Sequence, residues 1–341
     1  MEKQTLITLL QSACNNEGYA NFSAEDTNQA AIDAIYEACG LSENCSPREF
    51  RAHEDQVFAL IEEAIDEIMP ARLQNVLKDF AEVRQFARDA EVVFNIEKIG
   101  KNRAKLTISK GARGGIYRAA KLDRKYFSLS TSVETVAVFV TLEEILLGTV
   151  SLSELFNNIL EGFEEIVYKD VFNALASGKG VAGYDSIQNS EMAVTGTAKA
   201  SLGTAIDKVM PYVKQYGTPT IFGSYQALSA LSNEAVSNHP ELLDSADRRN
   251  YGYIQVYKGA RIVELPNYLI DNTNSKWFYD PSYVFVLPSG AKPVKVALKG
   301  DLTIVRNTQA TGSQKWEAHK LIGVGLAMAN NFATIKVTDI Q

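Results

Sequence analysis

The strongest periodic signal in the chain lies between Ser151 and Gly178. Apolar residues recur there at Leu152, Leu155, Phe156, Ile159, Leu160, Phe163, Ile166, Val167, Val171, Phe172 and Leu175, the 3.6-residue stripe of an amphipathic helix. Ser151 and Glu154 have capping-box spacing at the start, and Gly178 supplies a left-handed stop. The pattern predicts one helix over 151–177, about twice the usual globular length, with Leu155, Ile159, Phe163 and Val167 in its core. Glu154, Glu161, Glu164, Glu165 and Lys169 take the opposite side, where solvation accounts for acid pairs such as Glu164-Glu165 and Glu62-Glu63.

The first ninety residues also read as helical. Ser23 and Asp26 open a segment closed by Gly40; Ser46, Pro47 and Glu49 open a second, running through Phe50, Val57, Leu60, Ile61, Ile65 and Ile68. Pro70 is expected to interrupt it, and a third helical pattern follows through Leu73, Val76, Leu77, Phe80, Val83 and Phe86. Two readings stay open: an acidic helical layer on its own domain, or an arm packed on a neighbouring subunit.

At Glu91 the period changes to two. Val92, Phe94 and Ile96 alternate with polar residues, Gly100-Lys101-Asn102 makes a turn, and Ala104, Leu106 and Ile108 alternate with Arg103, Lys105, Thr107 and Ser109, the pattern of a β-hairpin. An isolated ribbon is marginal in water, so its apolar face must be covered, by its own domain or by another chain. Val133 to Val140 reads as a strand leading through Leu142–Gly148 into the long helix. Beyond a Gly/Ala/Ser/Thr-rich stretch at 178–204 come a helix over Ser201–Tyr216, a strand Thr218–Phe222, a helix from Ser224, and strands at Arg261–Leu265 and Tyr283–Leu287. From Pro293 period two returns: Val294, Val296 and Leu298, then Gly300-Asp301, then Leu302, Ile304 and Val305, a polar turn at Asn307–Gly312, and a strand from Trp316 to Met328. These strands should rejoin the one at 133–140 and cover the long helix, which makes 185–290 an inserted α/β block.

Composition narrows the class. The 341 residues are 46% apolar and 22% charged, ordinary for a globular protein large enough for two domains. No apolar run approaches the ~20 residues of a membrane span, and Glu2 and Lys3 precede only a short apolar run, so neither a signal peptide nor a membrane partner is expected and folding should be cytoplasmic. Cys14, Cys39 and Cys45 lack metal or disulfide spacing and read as reduced thiols. The net charge of −7 is polarised: 1–90 carries 17 acids against 7 bases, whereas 91–130 carries 3 acids against 10 bases. Two chemistries are excluded by spacing. Neither Gly111-Ala112-Arg113-Gly114-Gly115 nor Gly178-Lys179-Gly180 fits a phosphate-binding P-loop. His53, His239 and His319 are scattered without paired ligands, and no GxSxG, HExxH or GxGxxG occurs, so no catalytic site, metal or cofactor is predicted.

This order of parts resembles the major capsid proteins of tailed bacteriophages, the Hong Kong 97-like capsid fold, over essentially the whole chain. The closing stretch from Glu317 to Ala333 (EAHKLIGVGLAMANNFA) is the most specific local match, similar to the family's C-terminal strand that runs back to the axial domain. The resemblance implies an α+β fold with an N-terminal helical arm (1–90), an extended loop (91–130), a peripheral domain (131–180 and 291–328) with its spine helix over 151–177, and an axial domain (181–290) rejoined by 329–341. It implies an icosahedral shell of hexamers and pentamers enclosing double-stranded DNA without sequence-specific binding, in a virion assembled in the host bacterial cytoplasm. Portal, scaffold or decoration proteins are possible further partners. Net acidity fits, since phosphate contacts come from clustered bases. Lys98, Lys101, Arg103, Lys105, Lys110, Arg113 and Arg118 are the expected intersubunit contacts. The competing functions are an encapsulin-like nanocompartment shell and a metabolite-binding enzyme with a basic lid at Lys98–Lys125.

Overall fold

A computed structural model of the chain describes residues 8, 9, 12, 24–41, 47–96, 125–139, 152–178, 192–238, 246–290, 292–308, 314–327 and 332–340. In chain order the helices are α1 (Ala24–Ala38), α2 (Pro47–Leu77), α3 (Leu152–Ser177), α4 (Leu202–Lys214), α5 (Tyr225–Asn238) and α6 (Ala246–Tyr251). The strands are β1 (Ala81–Phe86), β2 (Val93–Ile96), β3 (Lys125–Ser128), β4 (Ser132–Phe139), β5 (Ala193–Thr197), β6 (Pro219–Gly223), β7 (Val256–Tyr257), β8 (Ala260–Glu264), β9 (Tyr283–Pro288), β10 (Val294–Thr308), β11 (Gln314–Leu326) and β12 (Ala333–Val337).

Two mixed sheets organise these elements. One has the order β1-β10-β11-β4, the other β5-β12-β9-β6-β8-β7, and β2 pairs with β3 as a separate ribbon. Helix α3 lies against β4, β10 and β11, with α2 beside it. Leu155, Ile159, Phe163 and Val167 are all buried in its stripe, and Gly178 follows its last turn at φ +59°. The C-terminal end of α3 reaches the second sheet: the Phe172 ring sits 4.4 Å from Tyr279 and 5.5 Å from Phe285, and the Thr334 hydroxyl donates to the Leu175 carbonyl at 3.2 Å. Strand β9 alternates accordingly. Phe285 and Leu287 join the core around α3, while Val284 and Val286 join a second core under α4 and α5. That is the two-fold period of a strand buried on both faces.

Several expectations are corrected. Helix α2 passes through Pro70 and ends at Leu77. Proline leaves the carbonyl four residues back without its helical donor, and that carbonyl, on Asp66, instead accepts from the Gln85 side chain at 3.0 Å. The pattern expected to stay helical to Phe86 becomes strand β1, parallel to β10. Ala81 and Val83 are buried while Arg84 is exposed, the alternation of a strand, although the three-residue spacing of Phe80, Val83 and Phe86 also satisfies a helical template. Gly300-Asp301 lies inside a single strand. β10 is continuous, with a register shift between Lys299 and Thr303, and Gly300 takes φ +66° there, the left-handed geometry of a bulge. The stretch Glu317–Ala333 does not return to the second sheet as one strand: Glu317–Leu326 belongs to β11 in the first sheet, and the return begins at Ala333 in β12. The two readings of the acidic N-terminal segment also separate: α1 and α2 lie against α3 of their own chain, with Ile35, Phe50, Val57, Ile65 and Leu73 in the shared core. Ser151, Val140 to Gly148, the predicted turn at Gly100–Asn102 and the strand at 104–108 lie outside the described residues.

Gly162 tests the packing of α3. A Cβ at this position would stand 2.9 Å from Val136 Cγ1 in β4, whereas Gly→Ala inside a helix otherwise gains roughly 0.5–1 kcal/mol. Gly162→Ala is expected to destabilise by about 1–3 kcal/mol, the usual cost of overpacking, and Val136→Ala should recover part of it; chemical denaturation of the subunit reads both. Phe163→Ala, at the middle of the stripe, should cost about 3–5 kcal/mol in the same assay.

Candidate assembly surfaces

The long helix α2 is fastened to the first sheet by charge. At the β10 bulge the Leu302 N–H donates to Asp66 Oδ2 at 2.7 Å, and the Ile304 N–H donates to the Glu62 carboxylate. These donors lie beyond Phe86, where β1 stops pairing with β10, so the helix carboxylates take over the unpaired edge. Lys320, buried in β11, places Nζ on Asp66 Oδ1 and donates to the Gly300 carbonyl at 2.7 Å. Nearby, Lys295 pairs with Glu82, which also meets Arg84. Burial raises Glu62 above the usual carboxylate range despite the Ile304 N–H. At Glu82 burial opposes ionisation, but Lys295 and Arg84 together hold the carboxyl below its ordinary value. Glu62, Asp66 and Glu82 are therefore committed within the subunit.

Glu164 and Glu165 are likewise not a solvated pair. Glu164 is buried on α3 with Arg72 Nε of α2 at 2.9 Å, and Glu165 accepts from the Tyr268 hydroxyl. Desolvation outweighs the Arg72 attraction, so the Glu164 carboxyl titrates above the ordinary 4.5; burial and Glu164 together push the Tyr168 phenol well up.

These side chains edge a groove of about 330 Å³ between the C-terminal half of α3, the end of α2 and the β8–β9 connection. Phe80, Phe172, Phe222, Tyr279, Phe285 and Leu287 wall it, and Glu161, Glu165, Val76 and Tyr268 stand around it. Tyr268 and Phe278 stack at 4.8 Å, and Phe80 meets Phe222 edge-on at 5.6 Å. Val76 is 55% exposed and Tyr268 44% exposed. Nothing in the spacing of the sequence marks this groove except the clustered aromatics between Tyr268 and Phe285.

The ribbon is rooted on its own chain. Val92, Phe94 and Leu129 are buried with Ala297 and Ala327. Phe86 packs edge-on to Phe94 at 5.5 Å, and the Arg84 guanidinium lies 5.6 Å from the Phe94 ring centroid. Val93 pairs with Ser128 and Ile96 with Lys125, so β2 has a partner in β3, beyond the predicted turn. The expected contact residues Lys98, Lys101, Arg103, Lys105, Lys110, Arg113 and Arg118 lie outside the described residues, as do His239, Cys14 and Cys45.

Among the described residues no group of three or more His, Cys, Asp or Glu could hold a metal, and no helix is long and apolar enough to cross a membrane. The His53 ring meets Gln56, and His319 Nδ1 lies 2.9 Å from the Thr135 hydroxyl. Cys39 is buried, which raises its thiol pKa.

A family model described as "SPbeta prophage-derived putative capsid protein YonB" matches residues 5–336. Solved structures similar to this chain include the capsid of cyanophage P-SCSP1u (11% identity, TM-score 0.51, 76% of this chain and 86% of that one). The mature capsid of bacteriophage PhiM1 is similar at 9% identity and TM-score 0.51, over 78% of this chain and 87% of that one. The procapsid of satellite phage P4, which includes a size determination protein, matches at 8% identity and TM-score 0.52, over 82% and 92%. No curated protein matches the chain in sequence.

Two measurements probe the charged ties. Lys320→Met leaves Asp66 without its buried partner and should cost about 3–5 kcal/mol, whereas pairing it with a neutral apolar replacement of Asp66 should recover much of the loss. For Glu164 the sign is fixed by linkage. A carboxyl with a raised folded pKa contributes stability that is fully present below its ordinary 4.5 and is lost as pH rises through the folded value. Glu164→Gln should flatten the fall in unfolding free energy between pH 4.5 and 7; an unchanged slope would place the titrating burden elsewhere.

Proposed function

The chain belongs to the YonB family of prophage-derived capsid proteins, and from that premise we propose that it is the major coat subunit of a tailed-phage capsid, self-assembling as hexamers and pentamers around double-stranded DNA. The observation that carries this reading is the family match over 5–336 on a chain whose two sheets, bound by one long helix, form a Hong Kong 97-type fold. The role is structural rather than catalytic, and the family membership weighs against a metabolite enzyme with a basic lid.

In this reading the first sheet with α2 and α3 is the peripheral module, with α3 as its spine. The second sheet with α4 and α5 is the axial module, rejoined by β12. The intervening 97–124 is the extended loop, carrying Lys98, Lys101, Arg103, Lys105, Lys110, Arg113 and Arg118 to neighbouring subunits. The net charge of −7 suits cargo that is packed rather than bound. Assembly in the bacterial cytoplasm, with portal, scaffold or decoration proteins as further partners, belongs to the same proposal.

Replacing Glu97–Arg124 with a short Gly/Ser linker keeps the buried root at Val92, Phe94 and Leu129 and removes the loop. The variant should give native-like circular dichroism and no closed shells by negative-stain microscopy; unfolding, or normal shells, would contradict the proposal. Charge is tested separately. Exposed ion pairs contribute about 0–1 kcal/mol each and are screened beyond roughly 8–10 Å at physiological salt. Lys101, Arg103, Lys105 and Arg113 changed together to Gln should therefore slow assembly followed by light scattering and reduce its salt dependence. Equal salt slopes for wild type and the quadruple variant would make the basic loop an ordinary solvated surface.

A further inference from the structure

We infer that the acid-rimmed apolar groove between α2, α3 and the β8–β9 connection binds a small apolar amine, a molecule with one protonated nitrogen on a hydrocarbon chain or ring. The site belongs to the folded subunit and is independent of the coat role proposed above. Its volume of about 330 Å³ falls at the small end of ligand pockets, which favour the seams between domains and combine apolar walls with a few placed polar groups. Such a seam is present here. Val76 and Phe80 come from the end of α2 and just beyond it, Val171 and Phe172 from α3, and Phe222 and Leu287 from the second sheet. Val76 and Tyr268 stay about half exposed, which leaves the mouth open to solvent.

The charged groups at the groove are of one sign and gathered at one edge. Helix α3 sets Glu161, Glu164 and Glu165 there within about one helical turn. Among the described residues that line the groove, none is Lys, Arg or His. Arg72 reaches Glu164 from α2 at 2.9 Å, and the Tyr268 hydroxyl donates to Glu165. Only the first of these contacts brings a positive charge. Glu161 and Glu165 are exposed and make no ion pair among the described residues. Carboxylates four residues apart on a helix repel each other; an ammonium set between them removes that repulsion, whereas a carboxylate ligand would add to it. Away from this edge the walls are Phe80, Phe172, Tyr279 and Phe285, where a second charge on the ligand would be buried without a partner. A polyamine is excluded on that ground, and a neutral hydrocarbon leaves the acids unanswered. One nitrogen on an apolar body satisfies both parts of the groove.

The test uses the full chain as purified subunit and three probes that share one eight-carbon chain: octylammonium, octan-1-ol and octanoate. Each is titrated near neutral pH by isothermal calorimetry, and thermal unfolding is followed alongside. Octylammonium should bind about tenfold more tightly than octan-1-ol, the effect of one or two partly exposed ion pairs, with octanoate the weakest. Saturating octylammonium should raise the unfolding temperature, since it binds the folded chain alone. Glu161→Gln with Glu165→Gln, both at exposed positions, should bring octylammonium down to the affinity of octan-1-ol and leave octan-1-ol unchanged. Val76→Arg places a fixed cation and its chain at the mouth, and should weaken octylammonium tenfold or more while circular dichroism stays native. Four results would each overturn the site: no binding of octylammonium, an amine preference that survives loss of both carboxylates, binding unaltered by Val76→Arg, or equal affinity for all three probes. The last would make the groove a generic apolar surface for another chain. None of them bears on the coat role, which assembly tests alone.

Discussion

The structure depends on burying the apolar stripe of α3. A single helix face carries Leu155, Phe156, Ile159, Leu160, Phe163, Val167, Val171 and Phe172 into one continuous core, which takes in the helical face of the first sheet and the Phe222, Phe285 and Leu287 side of the second. Neither sheet covers its inner face alone. The helix is long because it must reach both, and the Thr334 hydroxyl on the Leu175 carbonyl marks where the second sheet meets its end. Gly162 is the complement of this demand: β4 approaches so closely at Val136 that a side chain there would force Val136 to shift.

Charge then sets where α2 lies. Its carboxylates do what a further strand would otherwise do for the open edge of β10, and Lys320 gathers Asp66 and the Gly300 carbonyl into one buried group. Such a network loses more from the removal of one member than it contributes as a whole. It therefore fixes the arrangement of helix on sheet more than it adds to stability. The same acids would have served for contact with other subunits had they remained at the surface.

Much of the fold was legible because long amphipathic patterns constrain strongly. The stripe of α3, the strand at 132–139 and its antiparallel partner β11 are all evident from spacing. The misreadings share one cause: short segments whose apolar spacing fits two templates, decided by tertiary partners. Ala81–Phe86 is a strand because β10 offers a parallel edge. Pro70 stays inside a helix because Gln85, from that same strand, reaches the carbonyl it abandons. Gly300 sits in a bulge of β10 held by Asp66 and Lys320, contacts that its neighbours in sequence do not announce. Burial of Glu62 and Glu164 was hidden for a related reason, since a charged residue on a helix gives no sign in sequence of a partner more than ninety residues away.

Fold, family and charge distribution converge on a capsid subunit that assembles with copies of itself. The most direct test is cryo-electron microscopy of the purified protein under assembly conditions. Closed shells of icosahedral symmetry with five- and six-subunit rings are expected, built from a subunit in which α3 bridges the two sheets. A protein that stays monomeric at high concentration, or assembles into particles without that symmetry, would contradict the capsid role.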